Sequence, residues 1–488
     1  MTEAIDIGSR RELFVDDYLI ERMEEGLSLQ LHHPVPRGIV LRMDRPWEGN
    51  MCGFITVMED DDRFRMYYKG HKQNLEAGTD SNGHMVEAHP LNVCYAESRD
   101  GVNWQRPELG LIEFDGTTAN NIITEGFGSE QKGVHGFAPF KDPNPAASGD
   151  ARYKAVGAVR RACSDGLYAM GSTDGLKWSL LSEEPILEQG KDGKFDSQNL
   201  AFWDPVREQY RAYVRQGGPA GRDIATAMSE DFIHWTDSEL LEYPGAPGEQ
   251  LYTNQITPYP RAPHLLMGFP TRYVEREWSS SIEQLPEREH RRRRSNVRER
   301  YGTALTDGLF MTSRDGRTFN RWGEAFMRPG PQLEGNWAYG DNYQAWGMLE
   351  TDSSLEGAPQ ELSFYATENY WRQPSAVRRY SLRKDGFVSV HAPRSGGEVL
   401  TKPLIFQGNW MEINFSTSAA GSLKIEIQGA DGMPVDGFTV NDCVEQIGDE
   451  LDRTVKWQNG DDLSELRGKP VRLRIVLTDA DLYAIRFK

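Results

Sequence analysis

Carboxylates, cations and side-chain amides recur in this 488-residue chain beside short apolar runs, where strands would begin or end. The carboxylates placed for acid–base or nucleophilic chemistry are Asp196, Asp341, Glu48 and Glu368. The polar residues placed to bind a substrate around them are Asn50, Lys69, His135, Arg160, Gln198, Arg215, Asn254, Arg272 and Asn342. Two carboxylates facing each other across a sugar, one protonated and one ionised, are what glycoside hydrolysis requires. The residue types therefore favour cleavage of a glycosidic bond.

Within this set, Asp196 and Asp341 are the predicted central carboxylates, and Glu48 and Glu368 are alternatives for the proton donor. The cations predicted to anchor the substrate are Lys69, Arg160, Arg215 and Arg272. Cations beside a carboxylate keep it ionised and also bind a carboxylate, sulfate or phosphate on a substrate. Any one Asp or Asn at the start of a strand could instead only satisfy a turn. The collective pattern is the stronger signal, because bunched charges cost desolvation and repulsion.

A recurring turn sequence marks the elements that must position these residues. Ser-Arg-Asp-Gly-Val-Asn-Trp at 98–104 recurs in related form at 172–178, 229–235 and 313–319, and in a degenerate form at 384–387. Ser or Asp can bond the local backbone, Gly usually supplies a positive φ, and the aromatic residue closes the turn onto a core. An alternating apolar run precedes each copy, which is the period of a half-buried strand. Five such units predict a five-bladed β-propeller.

A propeller would bring residues from distant parts of the sequence together. The innermost strand of each blade begins on one face of the ring, and the antiparallel second strand ends on that same face. Residues before inner strands, such as Asp196, and after second strands, such as Arg215, are therefore expected to converge on one funnel. The strand-like segment 11–20 is predicted to pair with the last blade and close the ring.

From about residue 396 the pattern changes to alternating strands joined by turns such as Ala-Asp-Gly at 430–432, which is typical of an antiparallel β-sandwich. The predicted fold class is therefore all-β, a five-bladed β-propeller followed by a C-terminal β-sandwich. The propeller is assigned to residues 1–395 as the catalytic domain, and the sandwich to residues 396–488 as an ancillary domain.

The segment 287–300 is an arginine-rich insertion within the fourth blade. A like-charge run of this kind is usually a solvated, mobile surface loop. The alternatives are a basic lid over an anionic substrate or a contact to an acidic patch of a second subunit. Homo-oligomerisation through the insertion or the β-sandwich therefore stays open.

The net charge of −19 makes nucleic acid and anionic membrane surfaces poor partners. No apolar run reaches transmembrane length, and the N-terminus lacks the basic and apolar segments of a signal peptide, so a cytoplasmic protein is expected, although a processed secreted form would look the same. The 12 Trp, 19 Tyr and 20 Phe residues suit both blade packing and the platforms on which sugars stack, so their number does not separate scaffold from site.

The sequence predicts no cofactor. His135 has no partner at the spacing of metal ligands, and a calcium ion on the propeller axis, held by carbonyls and water, would leave no trace in the sequence. The cysteines lack CxxC spacing and are interpreted as buried thiols rather than as a zinc site or a disulfide framework. They are Cys52, Cys94, Cys163 and Cys443.

Several segments resemble the five-bladed propeller glycoside hydrolases of families 32, 43 and 68. The chain is most similar to bacterial proteins described as glycosyl hydrolase family 32 N-terminal-like, through Glu-Leu-Phe-Val-Asp-Asp-Tyr-Leu-Ile at 12–20, Thr-Asp-Gly-Leu-Phe-Met at 306–311 and Asp-Ala-Asp-Leu-Tyr at 479–483. The resemblance covers nearly the whole chain and implies the propeller fold and a glycosidase activity.

The chain departs from the catalytic motifs of the invertase-like members of these families. Those enzymes carry a nucleophile in Trp-Met-Asn-Asp-Pro-Asn-Gly, a stabilising Arg-Asp-Pro and an acid in Glu-Cys. The sequence around Asp142 imitates the first motif and that around Asp204 the second, but both are predicted at hairpin turns on the wrong face of the ring. No catalytic role is therefore transferred from the family, and fructose specificity is not implied.

The leading hypothesis is a glycoside hydrolase that uses paired carboxylates on a small oligosaccharide, with an acidic group on the sugar as one option. The alternatives are a non-catalytic glycan-binding propeller and a glycoside phosphorylase whose cationic rim binds inorganic phosphate. The sugar, the linkage and the stereochemical outcome stay open at this stage, since the outcome depends on the carboxylate separation.

Overall fold

The structure is a computed structural model that describes residues 4–79, 81, 85–127, 133–159, 166–188 and 195–488. It contains two compact units. The propeller unit comprises Pro34–Pro258 and Pro263–Leu382, and the sandwich unit comprises Met1–His33, Tyr259–Ala262 and Arg383–Lys488. Arg160 and Cys163, which the sequence singled out, lie outside the described residues.

Five sheets in the described residues, four of them with four strands and one with five, confirm the predicted blades. Blade 1 has strands Gly53–Asp60, Arg63–Gly70, Asn92–Ser98 and Ile122–Thr124. Blade 2 has Val134–Lys141, Tyr153–Val159, Gly166–Ser172 and Ser179–Leu180, with Leu187–Glu188 also paired to its third strand. Blade 3 has Leu200–Asp204, Gln209–Gly218, Gly221–Ser229 and Glu239–Leu240.

Blades 4 and 5 depart slightly from this pattern. Blade 4 has Thr257–Tyr259, Ala262–Gly268, Met311–Ser313 and Asn320–Arg321. A separate three-stranded sheet accompanies it, with strands Gln250–Leu251, Thr271–Val274 and Leu305–Gly308. Blade 5 has Leu349–Thr351, Glu361–Glu368 and Ser375–Leu382, and its fourth strand is Val35–Met43, from near the beginning of the chain.

The repeated turn joins the third and fourth strands of blades 1 to 4. In blade 2, Oδ1 of Asp174 accepts a hydrogen bond from the N–H of Lys177 at 2.8 Å, and the Ser172 hydroxyl accepts one from the N–H of Gly175 at 2.9 Å. The Trp178 indole donates to the Gly175 carbonyl at 3.0 Å. Matching aspartate and serine bonds recur in the turns at 98–104, 229–235 and 313–319. The local sequence therefore fixes the turn as predicted.

A tyrosine of one blade donates a hydrogen bond to a backbone carbonyl at the turn of the next blade. The three bonds run from Tyr67 to Gly175 at 3.1 Å, from Tyr213 to Gly316 at 2.9 Å and from Tyr365 to Gly101 at 2.7 Å. The last of these joins blade 5 to blade 1 by the same contact that joins neighbours along the chain. The first and last blades are therefore adjacent, as a ring of blades requires.

Side-chain amides hydrogen-bond the inner strands to one another. Nε2 of Gln198 donates to Oγ1 of Thr56 at 3.0 Å, and Nε2 of Gln255 donates to Oε1 of Gln198 at 2.8 Å and to the carbonyl of Gln344 at 2.7 Å. All four side chains are buried. The network links blades 1, 3, 4 and 5.

The sandwich unit contains a sheet of ten strands around one hydrophobic core. The strands Met411–Gly429 and Val471–Phe487 pair antiparallel along most of their length. The other strands are Ile5–Gly8, Glu12–Leu13, Ile20–Met23, Ser28–Leu31, Val388–Ala392, Gly397–Thr401, Leu404–Phe406 and Asp449–Thr454. Inward side chains such as Ile425 and Ile475 are fully buried, which is the alternation that the sequence shows.

Two expectations about the N-terminal segment are corrected. The segment 11–20 does not pair with the last blade, because Glu12–Leu13 pairs with Val471–Phe487 in the sandwich unit. The strand that joins blade 5 is Val35–Met43, and the first 33 residues pack with the C-terminal unit rather than with the propeller expected over 1–395. The degenerate turn copy also lies in the sandwich unit, where Asp385 accepts hydrogen bonds from Tyr259 and Arg261.

The arginine-rich insertion is helical rather than a solvated loop. Helix α1 (Ser280–Glu283) precedes it, and the insertion itself forms helix α2 (Arg288–Val297) and the beginning of α3 (Glu299–Thr303). Arg291 and Arg294 are each only 1% exposed. Arg291 donates hydrogen bonds to the carbonyls of Pro286, Gly302 and Trp337. The insertion is therefore built into the propeller unit.

Short 3₁₀ helices complete the described secondary structure, at Leu75–Ala77, Gly149–Ala151 and Ser464–Leu466. None of the helices in the described ranges is long and apolar enough to span a membrane. Cys52, Cys94 and Cys443 are buried free thiols, which confirms their predicted state.

We expect Gly101→Ala to destabilise the contact between blades 5 and 1. A Cβ atom at Gly101 would lie 2.7 Å from Cγ2 of Thr351 and 2.8 Å from the Tyr365 hydroxyl, and the residue has φ +71°. The free energy of unfolding should fall by about 1–2 kcal/mol for the φ and by about 1–3 kcal/mol for the overlap. Gly116→Ala is the matched control, because Gly116 has φ +81° and open space around it. Scanning calorimetry giving equal melting temperatures for the two variants would contradict this role for the contact.

Candidate functional site

Asp196 lies in the loop that leads into blade 3 and is the carboxylate most open to solvent among the predicted catalytic residues. Its side chain is 61% exposed, and its Oδ1 lies 3.4 Å from Nε2 of His135, the second residue of the first strand of blade 2. Arg215, at the end of the second strand of blade 3, donates a hydrogen bond to the Asp196 carbonyl at 3.0 Å. The sequence predicted that residues at the starts of inner strands and at the ends of second strands lie close together. Asp196, His135 and Arg215 do so.

Cations act on the Asp196 carboxylate from several blades. Loss of hydration has the largest single effect on the pKa of Asp196 and raises it. Together, however, the positive charges of neighbouring residues have a larger effect and hold this pKa below its usual range. These residues are His135, Arg215, Lys69 and Arg300. The Asp196 carboxylate is therefore open to solvent and has cations from several elements near it. We refer to this surrounding of Asp196 as the funnel.

Aromatic side chains make up most of the funnel's packing. They form one cluster of buried rings contributed by blades 1, 4 and 5 and by helix α3. The members are Phe54, Tyr252, Tyr273, Tyr301, Tyr339, Tyr343, Tyr370 and Trp371. Burial raises the pKa of Tyr252, and the Asp196 charge raises it further. The Tyr252 phenol therefore stays neutral at physiological pH and can act as a hydrogen-bond donor.

Each cation of the funnel lies over an aromatic face. Nζ of Lys69 is 4.6 Å from the centre of the Phe54 ring, and Cζ of Arg215 is 5.3 Å from that of Tyr252. The closest pairs among the other arginines are Arg222 over Tyr273 at 4.1 Å and Arg300 over Tyr301 at 4.7 Å. Stacking holds the guanidinium planes in place without neutralising their charge. The rings themselves are 9% exposed or less, so the cations, and not the ring faces, are the groups that a ligand at Asp196 could contact.

Glu48 is placed away from this arrangement. Its side chain is fully buried and accepts hydrogen bonds from Arg106 at 2.9 Å and from the Tyr68 hydroxyl at 2.5 Å. Burial raises the pKa of Glu48, while Arg106 opposes that shift. Glu48 is therefore the partner of a buried arginine within blade 1.

Asp341 and Glu368 also have partners of their own. Asp341 is 2% exposed, and its oxygens accept hydrogen bonds from the backbone N–H groups of Tyr370 at 3.0 Å and Ala338 at 3.4 Å. Burial raises the pKa of Asp341 well above its usual range. Glu368 accepts a bidentate pair of hydrogen bonds from Arg378. The structure thus brings Asp196 together with cations and not with these carboxylates.

The predicted amides have structural hydrogen bonds. Asn254 donates to the Tyr213 carbonyl at 3.1 Å, and Asn50 both accepts from and donates to the Gln73 backbone. Asn342 has φ +59° and is 5% exposed, and Gln198 belongs to the buried amide network. Their substrate-binding roles are not supported by these positions.

Arg272 was predicted to anchor the substrate but is part of a separate ion-pair group. Its guanidinium donates to Asp307 at 2.6 Å and to Glu249 at 2.8 Å. Of the four predicted anchoring cations, the structure therefore places Lys69 and Arg215 at the funnel, and Arg160 lies outside the described residues.

Arg300 and the ring of tyrosines are functional candidates that the residue-by-residue sequence analysis missed. Arg300 lies in the arginine-rich insertion, which the charge run predicted to be a solvated loop rather than helices. The number of aromatic residues did not show which of them belong to the core and which to a site. The Thr-Asn-Gln-Ile and Gly-Asp-Asn-Tyr-Gln stretches that open blades 4 and 5 contain Tyr252, Tyr339 and Tyr343 at their edges. That recurrence of tyrosine beside inner strands was the available signal.

Asp142 and Asp204, which lie in the two segments that are similar to family motifs, have structural partners. Their predicted positions at hairpin turns already indicated such a role. Asp142 accepts hydrogen bonds from Lys154 at 2.5 Å and from the Tyr210 hydroxyl at 2.6 Å. Asp204 is buried and accepts one from Arg207 at 2.7 Å. Within the described ranges, no group of three or more His, Cys, Asp or Glu side chains is arranged to hold a metal ion.

Comparisons with known proteins find similarity to solved structures only. No family model and no curated protein matches the sequence. A Bombyx mori family 32 β-fructofuranosidase is similar over 94% of this chain and 94% of its own, with 10% identity and a TM-score of 0.40. A glycosyl hydrolase from Bacteroides ovatus is similar over 74% of this chain and 96% of its own, with 14% identity and a TM-score of 0.37.

A third similar structure belongs to the GH130 family of mannoside phosphorylases, which contains glycoside hydrolases that target β-1,2 mannosidic linkages in Candida mannan. The similarity covers 78% of this chain and 95% of that one, with 14% identity and a TM-score of 0.38. Family 32, which the sequence motifs resemble, is therefore among the matches. Any assignment of function depends on the side chains of the funnel.

We expect Glu48→Gln to reduce stability, because it leaves the largely buried Arg106 with only the exposed carboxylate of Asp44, 3.0 Å away, as a charged partner. The free energy of unfolding should fall by about 2–3 kcal/mol. Glu113→Gln, at an exposed position, serves as the control and should leave the melting temperature unchanged. Equal melting temperatures for both variants and the parent protein would show that Glu48 is not the structural partner of Arg106.

Proposed function

We propose that the protein is a glycoside hydrolase that cleaves its substrate in the funnel, with Asp196 as the catalytic carboxylate. One observation carries the proposal: Asp196 is an ionised carboxylate open to solvent among cations and aromatic rings. The other predicted carboxylates, Glu48, Asp341 and Glu368, are bound to structural partners.

The polar groups around Asp196 support a carbohydrate substrate. Sugar hydroxyl groups need hydrogen-bond partners, which a small number of charged and polar side chains supply in a binding site. Arg215 and Arg300 are half-buried and can offer such donors beside the exposed Asp196 carboxylate, while the aromatic rings beneath them are buried and hold the cations in place.

Glycosidic cleavage needs a group that gives a proton to the leaving oxygen and a carboxylate that assists attack at the anomeric carbon. We assign the proton donor to His135, whose Nε2 lies 3.4 Å from the Asp196 carboxylate. The leaving oxygen takes the proton of His135 as its bond to the anomeric carbon breaks, and the Asp196 carboxylate stabilises the positive charge that develops on that carbon. Water then adds to the anomeric carbon from the side that the leaving group vacates and passes a proton to His135, which restores both groups.

This assignment replaces the paired carboxylates predicted from the sequence. Asp341 cannot give a proton to a substrate while both of its oxygens accept backbone N–H groups in a buried position. His135 fills the second role because it faces Asp196 from the neighbouring blade. Lys69, Arg215 and Arg300 stabilise the ionised form of Asp196 between turnovers.

Two other functions retain specific support. A glycan-binding propeller without activity is favoured by the single carboxylate at the funnel among the predicted site residues. A glycoside phosphorylase is favoured by the cations, which could hold inorganic phosphate in the place of the attacking water. Product formation separates the first alternative from hydrolysis, and dependence of the rate on phosphate separates the second.

We expect Asp196→Asn to lower kcat by about 1,000-fold or more and to leave the melting temperature nearly unchanged, because the side chain is catalytic and largely exposed. Release of reducing sugar from neutral and acidic oligosaccharides, with and without phosphate, is the measurement. Asp115→Asn, at an exposed loop position, is the control. Full activity of Asp196→Asn would refute the assignment, and saturable glycan binding without any product from the parent protein would favour the binding function.

We expect the pH profile of kcat/KM to show no loss of activity from protonation of Asp196 above about pH 4, because the cations hold its pKa below the ordinary value of a carboxyl group. In Lys69→Met, loss of a positive charge raises that pKa, so the acidic limb of the profile should move to higher pH. Arg293→Met, which removes an exposed charge from α2, should leave the limb in place. An acidic limb that does not move in Lys69→Met would contradict the role of Lys69.

A further inference from the structure

Phe54, the second residue of the first strand of blade 1, has a backbone conformation that is rare for a bulky residue. It and Ile55 together oppose the single residue Tyr68, so this part of the strand is a β-bulge. Phe54 has φ +49°, in the left-handed region, where a residue with a Cβ atom is strained. Strain of this kind persists only where the surrounding structure maintains it, and a bulge beside a functional site redirects a side chain. The direction of the Phe54 side chain is therefore set by the bulge.

Blade 2 has the same bulge, and there a glycine adopts the left-handed conformation. Gly136 and Phe137 together oppose Gly157, and Gly136 has φ +66°. A Cβ atom at Gly136 would lie 2.2 Å from the carbonyl oxygen of Ser197, so this position has no room for a side chain. A glycine is therefore sufficient for the bulge, and the ring of Phe54 is what blade 1 adds at this position.

The Phe54 ring packs against the imidazole of His135, which belongs to the neighbouring blade. The two ring centres are 5.1 Å apart and the ring planes are inclined at 75°, which is an edge-to-face arrangement. The same imidazole lies 3.4 Å from the Asp196 carboxylate, and its side chain is 13% exposed. His135 therefore has both a carboxylate and an aromatic ring as neighbours, and the aromatic ring restricts how the imidazole can rotate.

The Phe54 ring is itself held by its surroundings. It is 5% exposed, and it lies nearly parallel to the Tyr343 ring, with 6.4 Å between the ring centres and 9° between the planes. Nζ of Lys69, which is paired with Gly53 on the adjacent strand, lies 4.6 Å from the centre of the Phe54 ring. A buried ring with these contacts has little freedom to move, so it can keep the imidazole in one orientation.

We propose that Phe54 is a positioning residue that holds the His135 imidazole in its orientation beside Asp196. This role rests on the proposed function, in which His135 is the proton donor. A proton donor must lie within hydrogen-bond distance of the leaving oxygen, so a displacement of about 1 Å can lower the rate about 100-fold. Phe54 is buried and acts through His135 rather than on the substrate.

The kinetic test compares two substitutions of Phe54 with the parent protein, on the oligosaccharides of the activity panel. In Phe54→Leu, which removes the ring, kcat should fall about 10- to 100-fold and KM should change less than about 2-fold, because the loss concerns the transition state. Phe54→Tyr keeps the ring and should retain most of kcat. Phe202→Leu is the matched control, because Phe202 is a 4% exposed ring on the first strand of blade 3 that packs on Tyr213 and Trp346 instead.

A second measurement does not depend on activity. Diethyl pyrocarbonate modifies accessible neutral imidazoles, and mass spectrometry gives the rate of modification at His135. In Phe54→Gly, which removes the ring and suits the positive φ, His135 should be modified at least about 5-fold faster than in the parent, because the imidazole is no longer restrained. His234, which is 88% exposed in a turn of blade 3, is the internal control and should react at the same rate in both proteins.

Melting temperatures identify a variant that does not fold, and Phe54→Leu replaces Phe54→Gly in the modification measurement if the latter fails. Parent-like kcat in folded Phe54→Leu would overturn the positioning role, as would an unchanged rate of modification at His135. An equal loss of kcat in Phe202→Leu would also overturn it, because any buried ring would then have the same effect.

Failure of the underlying function gives a different result. If the parent protein hydrolyses no oligosaccharide of the panel, the proposed function falls, and with it the effect of Phe54 on catalysis. The rate of modification at His135 still decides whether the ring holds the imidazole. If the parent is active and Phe54→Leu is equally active, the hydrolase function stands and only the role of Phe54 is refuted.

Discussion

Among the described residues, three junctions between neighbouring blades depend on a hydrogen bond from a tyrosine of one blade to a backbone carbonyl at the turn of the next. It requires a turn held rigid by local Asp and Ser bonds, so that the carbonyl is presented outward. It also requires glycine at positions such as Gly101, where any side chain would overlap Tyr365. The same seven residues therefore end a strand and set the position of the neighbouring blade. Once the blades are set, the starts of their inner strands meet, which brings His135 and Asp196 together.

A ring that gathers polar strand ends at its centre must satisfy most of them by internal partners. Gln198 is used to link inner strands, Glu48 is used to balance Arg106, and Glu368 is used to balance Arg378. Burying such a pair is tolerated because each charge offsets the desolvation of the other. A candidate functional residue differs from these residues in two ways: its side chain is exposed to solvent, and its charged neighbours do not form a close ion pair that buries it. Asp196 alone among the predicted carboxylates combines solvent access with several cations.

More of the fold than of the candidate site could be predicted from the sequence. Turn chemistry is local, so the copies at 98–104 and 172–178 could be identified as hairpins and counted as blades. Ion pairs between distant residues cannot be predicted in this way, because nothing in the sequence near Glu48 indicates that it pairs with Arg106. The N-terminal strands were misplaced for the same reason, because an alternating segment does not specify which distant strand it pairs with. Asp196, His135, Lys69 and Arg215 could be anticipated because the propeller geometry itself, and not a specific partner, brings them to one place.

The arginine-rich insertion shows how a charge run can be structural. Burial and the neighbouring Arg291 lower the pKa of Arg294 to about 9, so placing these charges inside the protein is unfavourable by itself. Arg291 recovers part of that cost through backbone carbonyls, and Arg294 lies 5.6 Å from the centre of the Trp371 ring. The helices are thereby fixed, and the charge of Arg300 acts on Asp196. At physiological salt, exposed charges are screened beyond about 8 Å, so the distant acidic surface of this chain contributes little at Asp196, whose ionised form depends on the cations beside it.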